Sequence, residues 1–355
     1  MRQLWWKTKL QWGADALDAL QGLHAERALL VTDPFFAQNG TAQKIAQRLG
    51  TTQVTIFSEI QPDPSIALAA KGLALISQVQ PQLLLALGGG SAIDCAKAMA
   101  FFYQSPVTFV AIPTTSGTGS EVTSFSILTH EGIKYPLVDA AMVPDMAILD
   151  DSLLQALPPQ LIADAGMDVV AHCLEALVAQ NATPISDALA VEAFSVVMEL
   201  LPASFHGDTS VRGKIHLAAT MAGMAFEQAG LGVCHAISHA LGGVFHKAHG
   251  RLNAVLMPAV MSFNAASEGY RKAALTCGAA SATQLLTVRS LAAELMRLRR
   301  ELKMPATLQE LGISAQALQE QMDKLTQAAV DDPCCRTNPR PVNRQDVRQI
   351  LESVL

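Results

Sequence analysis

The sequence predicts an α/β amino-terminal domain, a parallel sheet with helices on both faces, followed by an all-α carboxy-terminal domain. Three observations carry this expectation. As far as about Asp151, short apolar runs alternate with helix-length amphipathic segments, the rhythm of strand–helix–strand units. Beyond Asp151, strand alternation gives way to long Ala- and Leu-rich stretches of helical period, punctuated by prolines. The chain has 355 residues, 50% hydrophobic and 16% charged, which is enough for two buried cores. The boundary is placed at 152/153, giving domains 1–152 and 153–355.

The elements follow in order. Ala28 to Thr32 (ALLVT) reads as a buried strand ended by Asp33. Gln53 to Ser58 reads as a second strand. Leu83 to Leu87 is a third, closed by three glycines, and Val107 to Ile112 a fourth, closed by Pro113. Ile66 to Gln80 is an amphipathic helix between them. In the second domain Asp187 to Leu201 and Ser290 to Leu302 are examples of helical periodicity.

Charge and cysteine usage exclude several classes. The net charge is -6 and the 25 Lys and Arg are scattered, so no basic stripe marks a nucleic-acid binder or an anionic-membrane binder. The apolar runs are interrupted and shorter than the ~18 residues of a membrane span. Met1 to Lys7 lacks the apolar region of a secretory signal. The 6 cysteines form no CxxC pair, which fits reduced thiols in a cytoplasmic protein.

Two loops suggest a phosphate-bearing ligand. Gly88-Gly89-Gly90-Ser91 follows a strand and opens a helix from Ala92 to Phe101. Glycines let the backbone approach a phosphate, and the helix start adds N–H donors. The third glycine position of GxGxxG is Ile93, and no Gly-Lys-Ser/Thr follows, so neither familiar fingerprint is present. A tight turn without a ligand is the alternative. Thr114 to Ser120 (TTSGTGS) follows the next strand, and two such loops at strand carboxyl ends are where an open α/β sheet binds its ligand. Asp33, at the end of the first strand, suits ribose hydroxyls and would repel a 2′-phosphate. It also reads as an ordinary turn aspartate before Pro34.

Metal-type ligands concentrate in two segments of the second domain. Asp168 and His172 are four apart, so one helix face presents both. Cys234 to Gly250 holds His235, His239, His246 and His249. HExxH is absent, because residue 236 is Ala, and the cysteine spacing does not suit structural zinc. An Asp with several His suits a divalent first-row metal, Fe2+ or Zn2+. The alternatives are an ordinary helix polar pair and satisfied core histidines.

The motifs Gly88 to Lys97, Ile112 to Thr123 (IPTTSGTGSEVT), Gly166 to Glu175 (GMDVVAHCLE), Ala229 to Gly250 and Thr337 to Pro341, in that order, resemble those of the iron-containing (group III) alcohol dehydrogenases. Within that family the chain is similar to propanol dehydrogenases and related enzymes of propanediol or ethanolamine breakdown, with Gly132 to Leu137 contributing. The resemblance implies a Rossmann-like dinucleotide-binding domain and a helical catalytic domain, a dehydroquinate-synthase-like architecture with the active site in the cleft. It implies metal ligands at Asp168, His172, His235 and His249, and an active-site histidine at His239. His246 matches no ligand position and is read as cleft-lining or structural. Cofactor contacts are implied at Asp33, Asp63, Gly89, Gly90, Ser91, Asp94, Thr114, Thr115, Thr118, Thr123 and Lys134.

The implied activity is hydride transfer between NAD(H) and a short primary alcohol or aldehyde, with Fe2+ as metal and Zn2+ as the other candidate. Phe125, Phe226, Leu231 and Phe245 are expected to line the pocket. The resemblance also implies a homodimer or larger homo-oligomer, in the cytoplasm or inside a bacterial microcompartment. Three rivals remain. A dehydroquinate-synthase-like lyase needs more basic residues than Lys247 and Arg251 supply around the histidine segment. Glycerol and glycerol-phosphate dehydrogenase relatives share the architecture. An inactive scaffold of the same fold predicts a missing ligand, and none is missing.

Overall fold

The structure is a computed structural model that describes residues 6–131 and 133–355. Met1 to Trp5 and Gly132 lie outside the described residues, and with them most of the segment compared with a secretory signal. The chain divides into two compact units, Met1–Leu157 and Pro158–Leu355. The division falls a few residues past the expected boundary at 152/153.

The first unit is built on a six-stranded sheet. Its strands are β1 (Lys9–Gly13), β2 (Arg27–Thr32), β3 (Gln53–Phe57), β4 (Leu83–Gly88), β5 (Thr108–Pro113) and β8 (Met146–Asp150). The order is β1-β8-β5-β4-β2-β3, and every pairing is parallel. β4 is buried along its whole length, which is why it reads as a continuous apolar run, not as an alternating one. A separate antiparallel hairpin joins β6 (Phe125–His130) to β7 (Ile133–Val138).

Four strands exceed the expectation. β1 is a short polar edge strand whose partner β8 lies far along the chain. β8 (MAILD) is a five-residue apolar run next to the expected boundary. The hairpin carries Pro136 in β7, a residue tolerated in a strand without a partner on its far side.

Chain order reverses between β2 and β4. β2 leads outward to β3, and the chain then returns to place β4 on the other side of β2. The carboxyl ends of this pair therefore flank the crevice where open α/β sheets bind ligands. Asp33 follows β2 and the three glycines close β4.

The second unit contains helices and no strands among the described residues. Pro159–Val178 is its central helix, buried almost continuously from Ile162 onward. It packs against helices Pro184–Phe205, Arg212–Ala229 and His249–Phe263. The expected helix at Asp187 to Leu201 is longer at both ends. Thr183 and Ser186 form a capping box and Pro184 occupies the first turn, which starts it early. The expected helix at Ser290 to Leu302 begins at Gln284, with the Thr283 hydroxyl accepting from the Leu286 N–H.

Pro184–Phe205 has 22 residues and a mean hydropathy of 1.6, long and apolar enough to cross a membrane. No apolar run of that length is expected from the sequence alone. Its buried face, Ala190, Ala193, Phe194, Val197 and Leu201, has helical spacing and packs on the two neighbouring helices. That packing covers one face of the helix, and 33% of its apolar window is buried.

Candidate metal centre and dinucleotide site

The glycine turn is sterically obligatory. Gly88 has φ +151, and a Cβ there would meet the Ala92 Cβ at 2.7 Å. A Cβ on Gly90 would meet Thr118 Cγ2 at 2.8 Å, and one on Gly89 would meet Thr115 Oγ1 at 3.2 Å. The hydroxyl loop after β5 therefore lies directly on the glycine turn. The helix Gly90–Tyr103 has no side-chain cap, which leaves its first turn to an outside acceptor. Ser91 stands in that first turn. A glycine turn at an uncapped helix start, with threonine hydroxyls beside it, fits a pyrophosphate.

Other expected cofactor residues fall into distinct roles. Asp33 Oδ1 accepts from the Phe36 N–H at 3.1 Å and so caps Pro34–Gln38, while its Oδ2 faces Gly88. Asp63, at φ 54, pairs with Lys134 at 2.6 Å. They belong to one corner, because the Thr129 N–H in the hairpin donates to Pro64 O at 2.8 Å. Beside them lies a cavity of about 530 Å3 whose lining includes Pro34, Ser58, Pro62, Asp63 and Leu68. Asp94 is partly buried. It accepts from the Ser120 hydroxyl and, at 3.1 Å, from the Ile127 N–H. Thr123 accepts the buried Lys97 ammonium through its carbonyl at 2.7 Å. Asp94 and Thr123 thus shape the hydroxyl loop from beneath. Thr114 is buried, and its N–H donates to Gly88 O at 3.0 Å.

In the second unit three helices deliver the ligands. Pro159–Val178 carries Asp168, His172 and Glu175 on one face. Val233–Phe245 carries His235 and His239. His249–Phe263 begins with His249 and places Asn253 one turn later. Two glycines allow the close approach. A Cβ on Gly250 would lie 1.8 Å from the Asp164 carbonyl oxygen, and one on Gly232 would lie 2.7 Å from Glu175 Oε1. Arg251 adds a bidentate ion pair to Asp164, at 2.9 and 2.6 Å.

Asp168, His235 and His249 converge, each offering one donor atom, all within 4.8 Å of one another. His235 Nε2 lies 3.8 Å and His249 Nε2 3.6 Å from Asp168 Oδ1. The Asn253 amide donates to Asp168 Oδ1 at 2.7 Å and lies 3.3 and 3.2 Å from those two imidazole nitrogens. One hydrogen-bond donor thus faces three converging lone-pair donors. A carboxylate with two imidazoles fits a divalent first-row cation. The fourth expected ligand, His172, lies with its ring stacked on that of His235 at 4.6 Å and beside Phe226 at 4.5 Å. Phe226 and Leu231 are buried, whereas Phe245 is only half-buried.

Three residues here have no role among the sequence-based expectations. Glu175 is 1% exposed and accepts from the Gly232 and Cys234 N–H groups at 2.8 and 2.7 Å. It also bonds His235 Nδ1 at 2.6 Å. A carboxylate from one helix therefore satisfies the bare start of another and fixes its histidine. Burial would lower the His235 pKa, but the bond and charge of Glu175, with Asp168 and Asp332, outweigh it and raise it. Asn253 is the second such residue. Asp332 is the third: its Oδ2 bonds His239 Nδ1 at 2.8 Å, and its Oδ1 accepts from the Cys334 N–H at 2.8 Å. His246 ends its helix at φ 52 and is exposed, a structural position.

Burial pushes the Asp332 carboxyl up, but His239 and the Cys334 N–H outweigh it and hold it below the usual range. A carboxyl depressed in the folded state adds stability above its unfolded pKa, about 3.9, and loses it as pH falls through the lower folded value. Denaturation midpoints of wild type and Asp332→Asn are therefore expected to differ at pH 5 and to converge towards pH 2. A constant difference across that window would count against the ion pair.

Comparison with known proteins places this geometry in context. A family profile described as iron-containing alcohol dehydrogenase matches residues 8–151, and the C-terminal profile of the same family matches 162–355. The chain is 41% identical to the 1-propanol dehydrogenase PduQ of Salmonella typhimurium, over 98% of each chain. It is 36% identical to the NADPH-dependent butanol dehydrogenase of Clostridium saccharobutylicum, over 97% of this chain and 96% of that one. Among solved structures, it superposes on the iron-containing alcohol dehydrogenase of Thermococcus thioreducens with a TM-score of 0.90, at 31% identity and 99% coverage of both chains.

Proposed function

The chain belongs to the iron-containing alcohol dehydrogenase family, and from that premise we propose that it interconverts short unbranched primary alcohols and aldehydes with NAD(H), at a divalent metal held by Asp168, His172, His235 and His249. The observation that carries this is the convergence of Asp168, His235 and His249 on one point, braced by Glu175 and Asn253. Relatives named for 1-propanol and butanol support the substrate class.

When bound, the metal supplies Lewis acidity to the substrate oxygen and the nicotinamide supplies the hydride chemistry. The residues of the chain do the rest. Gly88, Gly89, Gly90 and Ser91, with Thr114, Thr115 and Thr118, would hold the pyrophosphate. Asp33 would take ribose hydroxyls, and the cavity beside Asp63 and Lys134 would take the adenosine end. His239, held through Nδ1 by Asp332, presents its other nitrogen to carry the alcohol proton. The buried Phe226 and Leu231 keep water from the reacting oxygen. The donor set accepts Fe2+ or Zn2+, and iron is the metal the family name favours.

The test is anaerobic loading with Fe2+, then NADH with acetaldehyde, propionaldehyde or butyraldehyde, followed as loss of NADH absorbance. Metal content is measured on the same sample. Turnover that chelation abolishes and Fe2+ restores is expected. A folded, metal-loaded sample inert towards every short aldehyde would sink the proposal.

Asp33 yields a separate prediction. Asparagine is as good a helix cap, so Asp33→Asn keeps the bond to Phe36 while removing the charge. The NADH-to-NADPH ratio of kcat/KM should then fall about tenfold, roughly the 1.4 kcal/mol of one unfavourable charge contact. An unchanged ratio would show that Asp33 only caps the helix.

A further inference from the structure

We propose that His239, Asp332 and Cys334 form a second, inhibitory cation site for a borderline divalent metal such as Zn2+, distinct from the Asp168 cluster. The inference rests on the reading of His239 as the proton carrier. One donor atom from each of the three residues lies within 4.8 Å of the others. The set is imidazole nitrogen, carboxylate oxygen and thiol sulfur, from two stretches of backbone. His239 comes from the helix Val233–Phe245, Asp332 from the residue after the helix Ala315–Asp331, and Cys334 from the short turn Pro333–Thr337.

The trio is held in place before any cation arrives. Asp332 bonds both the His239 ring and the Cys334 N–H, and Asp332 and Cys334 are 8% and 6% exposed. Three protein ligands with one open position is a common zinc arrangement, and thiolate with imidazole selects zinc over harder cations. Sulfur also separates the two sites chemically, because the Asp168 cluster offers only nitrogen and oxygen.

Binding exchanges a cation for a proton. Burial and the Asp332 charge keep the Cys334 thiol protonated in the metal-free protein. When the cation arrives, the S–H bond breaks, its electron pair binds the metal and the proton leaves to solvent. A cation already at the Asp168 cluster repels a second one nearby, so this site fills at excess metal. The His239 and His249 rings stack at 5.0 Å, so the two sites are neighbours. A cation on His239 removes the proton carrier, and kcat falls while the Asp168 cluster keeps its metal.

Two measurements test this. Co2+ titrated into the metal-stripped chain should give d–d absorption with the first equivalent. A sulfur-to-cobalt charge-transfer band in the near ultraviolet should appear only with the second. Cys334→Ser and Cys334→Ala should lose that band and keep the first. In the iron-loaded enzyme, Zn2+ should lower kcat with KM for the aldehyde little changed, and either Cys334 variant should need at least tenfold more Zn2+. Cys335→Ser should behave as wild type. The proposal is overturned if no charge-transfer band appears, if the band survives in both Cys334 variants, or if zinc inhibits them as it does wild type. Absence of the first d–d absorption would instead strike at the Asp168 cluster.

Discussion

His249→Ala is expected to lose its metal and at least about a thousandfold in turnover, the several kcal/mol that a Lewis-acid metal contributes to a barrier. This ligand makes the cleanest test. Its side chain is 23% exposed, whereas those of His235 and Asp168 are 1% and 6% exposed. His249 is also the first residue of its helix, where a small side chain does not interrupt the helical hydrogen bonds. The helix stays anchored, because Gly250 packs on the Asp164 carbonyl and Arg251 keeps its two bonds to the Asp164 carboxylate. The variant should therefore fold as wild type, with a melting temperature little changed when both are metal-free. Metal content by elemental analysis and NADH turnover should fall together. A His249→Ala protein that retains stoichiometric metal and full turnover would show that the ligand set is wrong.

Much of this site was legible because its signals are local. Asp168 and His172 sit one helical turn apart, and four more histidines crowd His235 to His249. The glycines at 88 to 90 announce a turn that no side chain can fill, and the steric clashes at Gly88 and Gly90 show why. What was not legible depends on distant pairings. Glu175 shares a face with Asp168 and His172, a pattern available in the sequence. Its role, however, comes from backbone N–H groups 57 and 59 residues away. Asp332 is 93 residues from His239, and no local pattern links them. The same limit hid β1, whose short polar sequence becomes a strand only because Met146–Asp150 pairs with it. Asp33 kept both of its readings, since one carboxylate oxygen caps a helix and the other faces the glycine turn. Local chemistry thus predicts which groups can act, and tertiary pairing decides which groups hold them.

Glu175 is where that second kind of information has its largest consequence. It never needs to touch metal or substrate. It satisfies two N–H groups at the start of Val233–Phe245 and holds His235 by its ring Nδ1, which turns Nε2 towards Asp168. Glu175→Ala strands these donors in a dry interior and should destabilise the protein by about 3–5 kcal/mol, the cost of breaking a buried charged pair. That variant confounds folding with function, so Glu175→Gln is the informative one. Its volume is conserved and one oxygen still accepts, but the charge is gone and an NH2 group now faces a donor. Stability should drop by about 1–3 kcal/mol. Metal affinity should fall about 10- to 100-fold, as expected when a ligating histidine loses the carboxylate that orients it. Competition with a chelator of known affinity reads the second quantity independently of turnover. At saturating metal the Gln variant should recover most of its kcat, because the ligands themselves are intact. If it folds and binds metal as tightly as wild type, Glu175 is only a helix cap, and the orientation of His235 is set elsewhere.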